Sequence, residues 1–302
     1  MLALTSIQVS AQYDPYFSHY YDMQTSFNPA AAGKEDRLNV YAVYAMSLAG
    51  FENAPQVVSF AGDMPFRTKK VIHGVGAKFM NDKIGLFNHQ HITAQYAMRL
   101  RALKGNLSIG INAGMITEKF KGSEVELGEE GDPVFPKSDV DGNSVDLGVG
   151  IYYSRKNWYV GISAQHLNYP TVKLGEMYEF KIDGTYYAMG GVDFQLRNPA
   201  LKILTSAIVR TDLTSYRADI TGRLQYSFDG KMLYAGIGVS PTNSVTVLIG
   251  GKFQGFLVGY SFEAFTNGIS IRNGSHEMHI GYQMDVDLGK KGKNRHQTTR
   301  TL

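Results

Sequence analysis

The 302-residue sequence predicts an all-β fold, an up-and-down antiparallel transmembrane β-barrel of about 14 strands. Three observations carry this. Fourteen stretches alternate apolar and polar residues with a period of two, which gives each stretch one greasy and one wet face. The links between them are alternately very short and longer, as in outer-membrane barrels, whose periplasmic turns are short and whose outer loops are long. The chain has 19 Tyr and 16 Phe, enough for aromatic girdles, and no uninterrupted apolar run reaches the ~18 residues of a spanning helix. A closed barrel pairs every backbone N–H and C=O inside the protein, as a bilayer requires.

The elements follow in order. Residues 1–11 have the character of a signal-peptide remnant: Leu2–Ile7 is mildly apolar, and Val9-Ser10-Ala11 is a small-residue cleavage site, so mature protein would begin at Gln12. Residues 12–36 are rich in Tyr and Phe without clean alternation, and are expected as a periplasmic segment or a plug inside the barrel. The barrel is expected over 37–287, with strands near 37–48, 55–63, 71–82, 88–102, 106–117, 144–154, 158–167, 184–196, 201–210, 215–228, 231–240, 244–253, 256–265 and 275–287.

Four stretches show their faces best. Leu107, Ile109, Ile111, Ala113 and Met115 oppose Ser108, Gly110, Asn112 and Gly114. Trp158, Val160, Ile162 and Ala164 oppose Tyr159, Gly161, Ser163 and Gln165. Ala218, Ile220, Gly222, Leu224 and Tyr226 oppose Arg217, Asp219, Thr221, Arg223 and Gln225. Met278, Ile280, Tyr282, Met284 and Val286 oppose His279, Gly281, Gln283, Asp285 and Asp287.

Short links such as Lys104-Gly105, Asp229-Gly230 and Gln254-Gly255 have hairpin chemistry, with 64–70 as a longer exception. The longer links are 118–143, 168–183 and 266–274. If the N-terminus is periplasmic, the even strand count returns the C-terminus there. Residues 288–302 form a basic tail with no acid beyond 288.

On this face assignment Asn112, Arg217, Asp219, Arg223 and Gln225 are candidate lumen-lining residues, and Asn112→Arg should be milder than Ala113→Arg. Candidate partner-binding residues lie at the two ends. Glu129, Glu130, Asp132, Asp139 and Asp141 belong to an acidic outer loop, 118–143, with eight acids (Glu118 among them) against three lysines. Lys290, Lys291, Lys293 and Arg295 belong to the basic tail.

Several chemistries find little support. The chain has no cysteine, so disulfides contribute nothing, and a net charge of +3 is too balanced for nucleic acid. His276-Glu277-Met278-His279 is one residue short of a zinc-protease motif, and on a strand its histidines face opposite ways. His89 and His91 share a face but lack an evident third ligand, and are expected as exposed residues of the barrel rim. Asp139-x-Asp141-Gly142-Asn143 begins like a calcium loop but has Gly150 where the bidentate Glu belongs. The Gly-x-Gly pairs at 74–76 and 148–150 sit inside strands rather than before helices, and no nucleophile motif appears. The expectation is a protein with no catalytic, metal or cofactor site.

From Gln12 onward the chain resembles the PorP/SprF family of Bacteroidetes outer-membrane proteins. The resemblance rests on Asp14-Pro15-x-Phe17-Ser18, Phe27-Asn28-Pro29-Ala30-x-Ala32-Gly33, Pro55-Gln56 with Ser59 and Pro65, and Gly74-Val75-Gly76. It continues through Asn81-Asp82-x-Ile84-Gly85, Leu107-Ser108-x-Gly110, Asp132-Pro133-x-Phe135, Asp146-Leu147-Gly148-Val149-Gly150, Tyr159-x-Gly161-Ile162-Ser163, His166-Leu167 and residues 275–282. The tryptophan common in the family before its first Pro motif is absent, since Trp158 is the only one. The resemblance implies an outer-membrane component of type IX secretion and gliding motility. It implies docking of periplasmic secretion proteins, including a peptidoglycan-associated lipoprotein, with secreted cargo or an adhesin on the outer side. A FadL-like channel or transporter for small hydrophobic solutes is the alternative, because both need the same lipid-facing belt.

Overall fold

The computed structural model describes residues 13–69, 71–124, 138–175, 178–241, 243–266 and 273–288. Fourteen antiparallel strands close into a barrel. They are β1 (Arg37–Met46), β2 (Gln56–Thr68), β3 (Val71–Ile84), β4 (Phe87–Ala102), β5 (Gly105–Phe120), β6 (Val140–Arg155), β7 (Trp158–Gln165), β10 (Thr185–Gln195), β11 (Leu201–Thr211), β12 (Tyr216–Phe228), β13 (Lys231–Ser240), β14 (Ser244–Phe253), β15 (Phe256–Phe265) and β16 (Ser275–Asp285). Each pairs with its neighbour in sequence, and β1 closes on β16 with Tyr41 opposite Gly281. The remaining two, β8 (Thr171–Leu174) and β9 (Tyr178–Lys181), form a separate hairpin between β7 and β10.

The alternation becomes the two faces of this wall. Ile109, Ile111, Met115, Val160, Ile162, Ile220, Leu224, Met278 and Ile280 are exposed on the outside, where lipid replaces water as their solvent. Their neighbours Ser108, Asn112, Ser163, Thr221 and His279 are buried inside. The chain termini of the barrel and the turns after β2, β4, β6, β10, β12 and β14 share one end, here the short-turn end. The opposite strand ends, where the chain leaves β5, β7 and β15, form the other, the long-loop end.

Three boundaries differ from the sequence reading. β2 runs through Pro65 to Thr68, so the supposed long link 64–70 is a tight turn. Its pairing with β1 stops at Asp63, so residues 64–68 have β3 on one side only, the edge setting in which a strand tolerates proline. β5 and β6 are longer than expected, which moves Glu118 and Asp141 out of the acidic loop and into the ladder. The 166–184 connection folds back over the long-loop end, where Ile116, Val172, Leu174 and Ile182 form a small buried apolar cluster with Tyr13 and Phe180 against it.

Candidate functional site: a filled lumen with a charged mouth

Residues 13–36 run through the barrel interior from the long-loop end to the short-turn end. Tyr13 donates to Glu118 of β5 at 2.6 Å, near the long loops. Tyr16 donates to Glu263 of β15 at 2.6 Å, and the backbone N–H groups of Ser18 and His19 donate to Glu277 of β16 at 2.6 and 2.9 Å. Tyr20 reaches the Ser206 carbonyl on β11 at 2.9 Å. Tyr152 of β6 donates to Gln24 at 2.8 Å, Gln95 of β4 to the Thr25 carbonyl at 2.9 Å, and Ser163 of β7 to the Phe27 carbonyl at 2.7 Å. At the short-turn end the Gly33 N–H donates to Asp63 at 2.8 Å, and Arg99 holds the Lys34 carbonyl and Asp36.

The segment has little regular structure of its own, only α1 (Gln24–Phe27) and a 3-10 turn at Pro29–Ala31. Its backbone groups therefore need partners from the wall. Asn28 is the hub. Fully buried, it accepts from Ala30 N–H at 2.9 Å and donates to the strand carbonyls of Ile151 and Ile162 at 3.0 and 3.1 Å. Pro29 then opens the turn, as capping chemistry favours.

Inward-facing glycines make the socket. A Cβ on Gly110 would lie 2.5 Å from Ala30 Cα and from the Pro29 carbonyl carbon. A Cβ on Gly74 would overlap the Ala32 carbonyl, and one on Gly161 would sit 2.8 Å from Asn28 Nδ2. These glycines allow the segment to press backbone against wall.

Buried ionisable groups anchor the half of the segment nearer the long-loop end. Asp14 accepts from Tyr187 Oη at 2.5 Å and lies 3.2 Å from His166 Nε2. His166 Nδ1 is 2.8 Å from Asp146, which also meets His91 Nε2 at 3.0 Å. Burial works to lower the His166 pKa, but Asp14 and Asp146 outweigh it and raise it to about 9. Burial likewise opposes ionisation of Asp14, yet His166 and Lys78 hold its carboxyl well below the usual range. On the other wall Arg217 bridges Asp219 and Glu263 at 2.9 and 2.8 Å and lies 3.6 Å from the Tyr16 ring centre. His19 and His279 stack with ring centres 5.4 Å apart.

The half of the segment nearer the short-turn end leans on β1–β7 and leaves the opposite side of the lumen open. There a cavity of about 540 Å³ lies at the short-turn end, bounded by the β6–β7 hairpin, β10–β16 and the plug residues Tyr21, Asp22 and Gln24. Seven Lys or Arg side chains and three carboxylates line it. Among the described residues no group of His, Asp or Glu is arranged to hold a metal ion.

The sequence-derived residues fall as follows. Asn112, Arg217, Asp219, Arg223 and Gln225 face the interior: Asn112 donates to Gln165 at 2.7 Å, Arg223 lies 3.2 Å from the Tyr21 ring centre, and Gln225 donates to Ser227 at 3.0 Å. The space around Asn112 is filled, since a Cβ on Gly148 would lie 2.4 Å from Asn112 Oδ1 and 2.7 Å from Gln165 Oε1, so an arginine at 112 would press on the packed interior rather than on lipid. His89 and His91 are not exposed at the rim. Both are buried inside, against Glu118 and Asp146. Asp139 accepts from Ser123 Oγ at 2.7 Å, and Asp141 pairs opposite Lys119 on the ladder, both exposed at the long-loop end. The signal remnant, Glu129, Glu130, Asp132, Lys290, Lys291, Lys293 and Arg295 lie outside the described residues.

Sequence reasoning did not single out Asp14, His19, Asp146, His166, Glu263 or Glu277 as an anchoring set. Their signal was charge on the wet face of a strand, repeated around the barrel, with a tyrosine-rich segment to meet it.

The family model for the type IX secretion system membrane protein PorP/SprF matches residues 9–282. No curated protein matches the sequence. Among solved structures, the CymD monoaromatic hydrocarbon channel aligns with TM-score 0.51 at 10% identity over 87% of this chain and 92% of that one. A FadL homologue of Pseudomonas aeruginosa aligns with TM-score 0.44 at 10% identity over 85% and 92%. The translocator domain of the autotransporter NalP from Neisseria meningitidis aligns with TM-score 0.44 at 12% identity over 82% and 87%. At 10% identity the likeness to the CymD channel is one of fold.

Proposed function

Because this chain belongs to the PorP/SprF family of type IX secretion membrane proteins, we propose that it is the docking barrel of that system in the outer membrane, holding partners rather than passing solute or turning over a substrate. Membership makes it an outer-membrane secretion component that works with others of the system. The finer reading is ours. The short-turn end faces the periplasm and receives periplasmic secretion proteins, a peptidoglycan-associated lipoprotein among them. The long-loop end faces exported cargo or an adhesin.

One observation carries this. The lumen is occupied along its length by the chain's own segment, held by hydrogen bonds to β1–β7, β10–β12, β15 and β16. A wall cross-linked along its length to an interior segment is a stiff post, suited to anchoring. The channel alternative would want an apolar path inside. The apolar cavity here, about 560 Å³ around Ile109, Ile151, Ile162 and Val209, opens on the lipid-facing wall, and the interior cavity is polar.

The test is mild-detergent purification of the full-length protein from outer membranes, beside deletion of its gene. Co-purified secretion components and lost cargo export or attachment support docking. Normal export with blocked uptake of a hydrophobic solute refutes it in favour of transport.

A further inference from the structure

The geometry points to the cavity at the short-turn end as a binding site for an extended acidic polypeptide segment, a reading that deepens the docking proposal and rests on it. The cavity is about 540 Å³, within the range of about 300–1,000 Å³ typical of clefts that bury a ligand whole, and larger than a single small anion needs.

Its charge is lopsided. Of its seven cations, Arg37 is engaged by Glu35 and Asp285, and Lys252 donates to Gln283. Lys34, Lys202 and Arg223 have no carboxylate within ion-pair distance among the described residues, and Arg223 Nε is buried without a hydrogen-bond partner. The stacking of Arg223 on Tyr21 fixes the guanidinium in place, so its remaining donors are pre-aimed. The three carboxylates, Asp22, Glu35 and Asp193, do not balance this set.

The unpaired cations are also spread. Lys34 stands on the plug at the lip, Lys202 on β11 and Arg223 on β12. A chain carrying several carboxylates can meet these cations from more than one element at once. The site lies inside the wall. The lipid-facing sides of the same strands carry Ile203, Leu224, Leu233 and Phe253, which separates the cavity from bilayer headgroups. Tyr159 gives the same mouth aromatic surface for the backbone of a bound segment.

The probe is a fluorescein-labelled oligoglutamate titrated into full-length protein in detergent, with oligolysine and inorganic phosphate as comparisons. Saturable binding of oligoglutamate is expected, weakened by salt and absent for oligolysine. The Lys34→Glu/Lys202→Glu variant should weaken it about tenfold or more. Lys173→Glu, the same charge change on the long-loop hairpin, should leave it unchanged. A gel-mobility shift on heating, as in wild type, verifies that each barrel is folded. No saturable binding, equal binding by the Lys34/Lys202 variant, or full competition by phosphate at an equal concentration overturns the inference. Co-purification separates the two readings. If the Lys34/Lys202 variant retains every secretion component that wild type retains, the cavity is not the docking place and the docking proposal stands. If wild type retains none, the docking proposal itself has failed.

Discussion

Gly110→Ala should unseat the interior segment while leaving the barrel closed. The added methyl would lie 2.5 Å from Ala30 Cα and the Pro29 carbonyl carbon, where ordinary contact begins at 3.4 Å, so the segment must retreat by about 1 Å. The atoms it meets are backbone and cannot rotate away. Overpacking of this kind costs about 1–3 kcal/mol. The retreat also stretches the Asn28 bonds to Ile151 and Ile162, now 3.0 and 3.1 Å, beyond bonding distance, at roughly 1 kcal/mol each. The total, about 3–5 kcal/mol, acts on seating of the segment alone, because the β5 ladder to β4 and β6 needs no side chain at 110. A change near 3 kcal/mol raises the unseated population about a hundredfold. The chain has no cysteine, so one introduced at buried Ser26 reports directly. Maleimide labelling of Ser26→Cys should be slow alone and about a hundredfold faster with Gly110→Ala. Equal labelling rates with an intact, heat-modifiable barrel would refute the socket.

Other expectations follow from the same contacts. Glu277→Ala removes the acceptor for the Ser18 and His19 N–H groups and His19 Nδ1, and should loosen the half of the segment nearer the long-loop end by about 3–5 kcal/mol, read by faster labelling of Ser18→Cys. Seating should depend on pH through His166: its folded pKa of about 9 exceeds the usual ~6.5, so its stabilisation is full below about 6.5 and lost as pH rises through about 9. Asp14 has the opposite sign, its contribution being present above about 3.9 and lost as pH falls below its depressed folded value. Protease resistance of the segment should therefore decline as pH rises from about 6.5 to about 9 in wild type and lose that dependence in His166→Gln. Ala113→Arg places a charge on the lipid face and should reduce insertion by about 2–4 kcal/mol, whereas Asn112→Arg should insert and disturb seating instead, which fractionation combined with labelling distinguishes.

The wall was legible because its physics is local. A period of two in β5, β7, β12 and β16 already separates Ile111 from Asn112 and Ile280 from His279, and Asp229-Gly230 marks its own turn. The ends were less so. Pro65 reads as a strand terminator until β1 is seen to stop short beside it, and Glu118 reads as a loop acid until Tyr13 and His89 close on it. The 171–181 hairpin has strands of four residues, too short for a periodic signal.

The site was legible only in part. Arg217, Asp219 and Arg223 declare an interior face, but Tyr16 and Tyr21, which fill that interior, lie about 200 residues away in sequence and form no periodic element. Asn28-Pro29 and the glycines at 110 and 161 look like isolated motifs in sequence. They are two halves of one contact, visible only once the chain has folded back through its own barrel.

Electrical recording in a planar bilayer tests the central claim most directly, that this is an anchor with a filled lumen. Purified full-length protein at neutral pH should insert without steady conductance, and Gly110→Ala should raise the frequency of open events. A steady ohmic current from the wild type, of the size expected for a water-filled barrel, would contradict it.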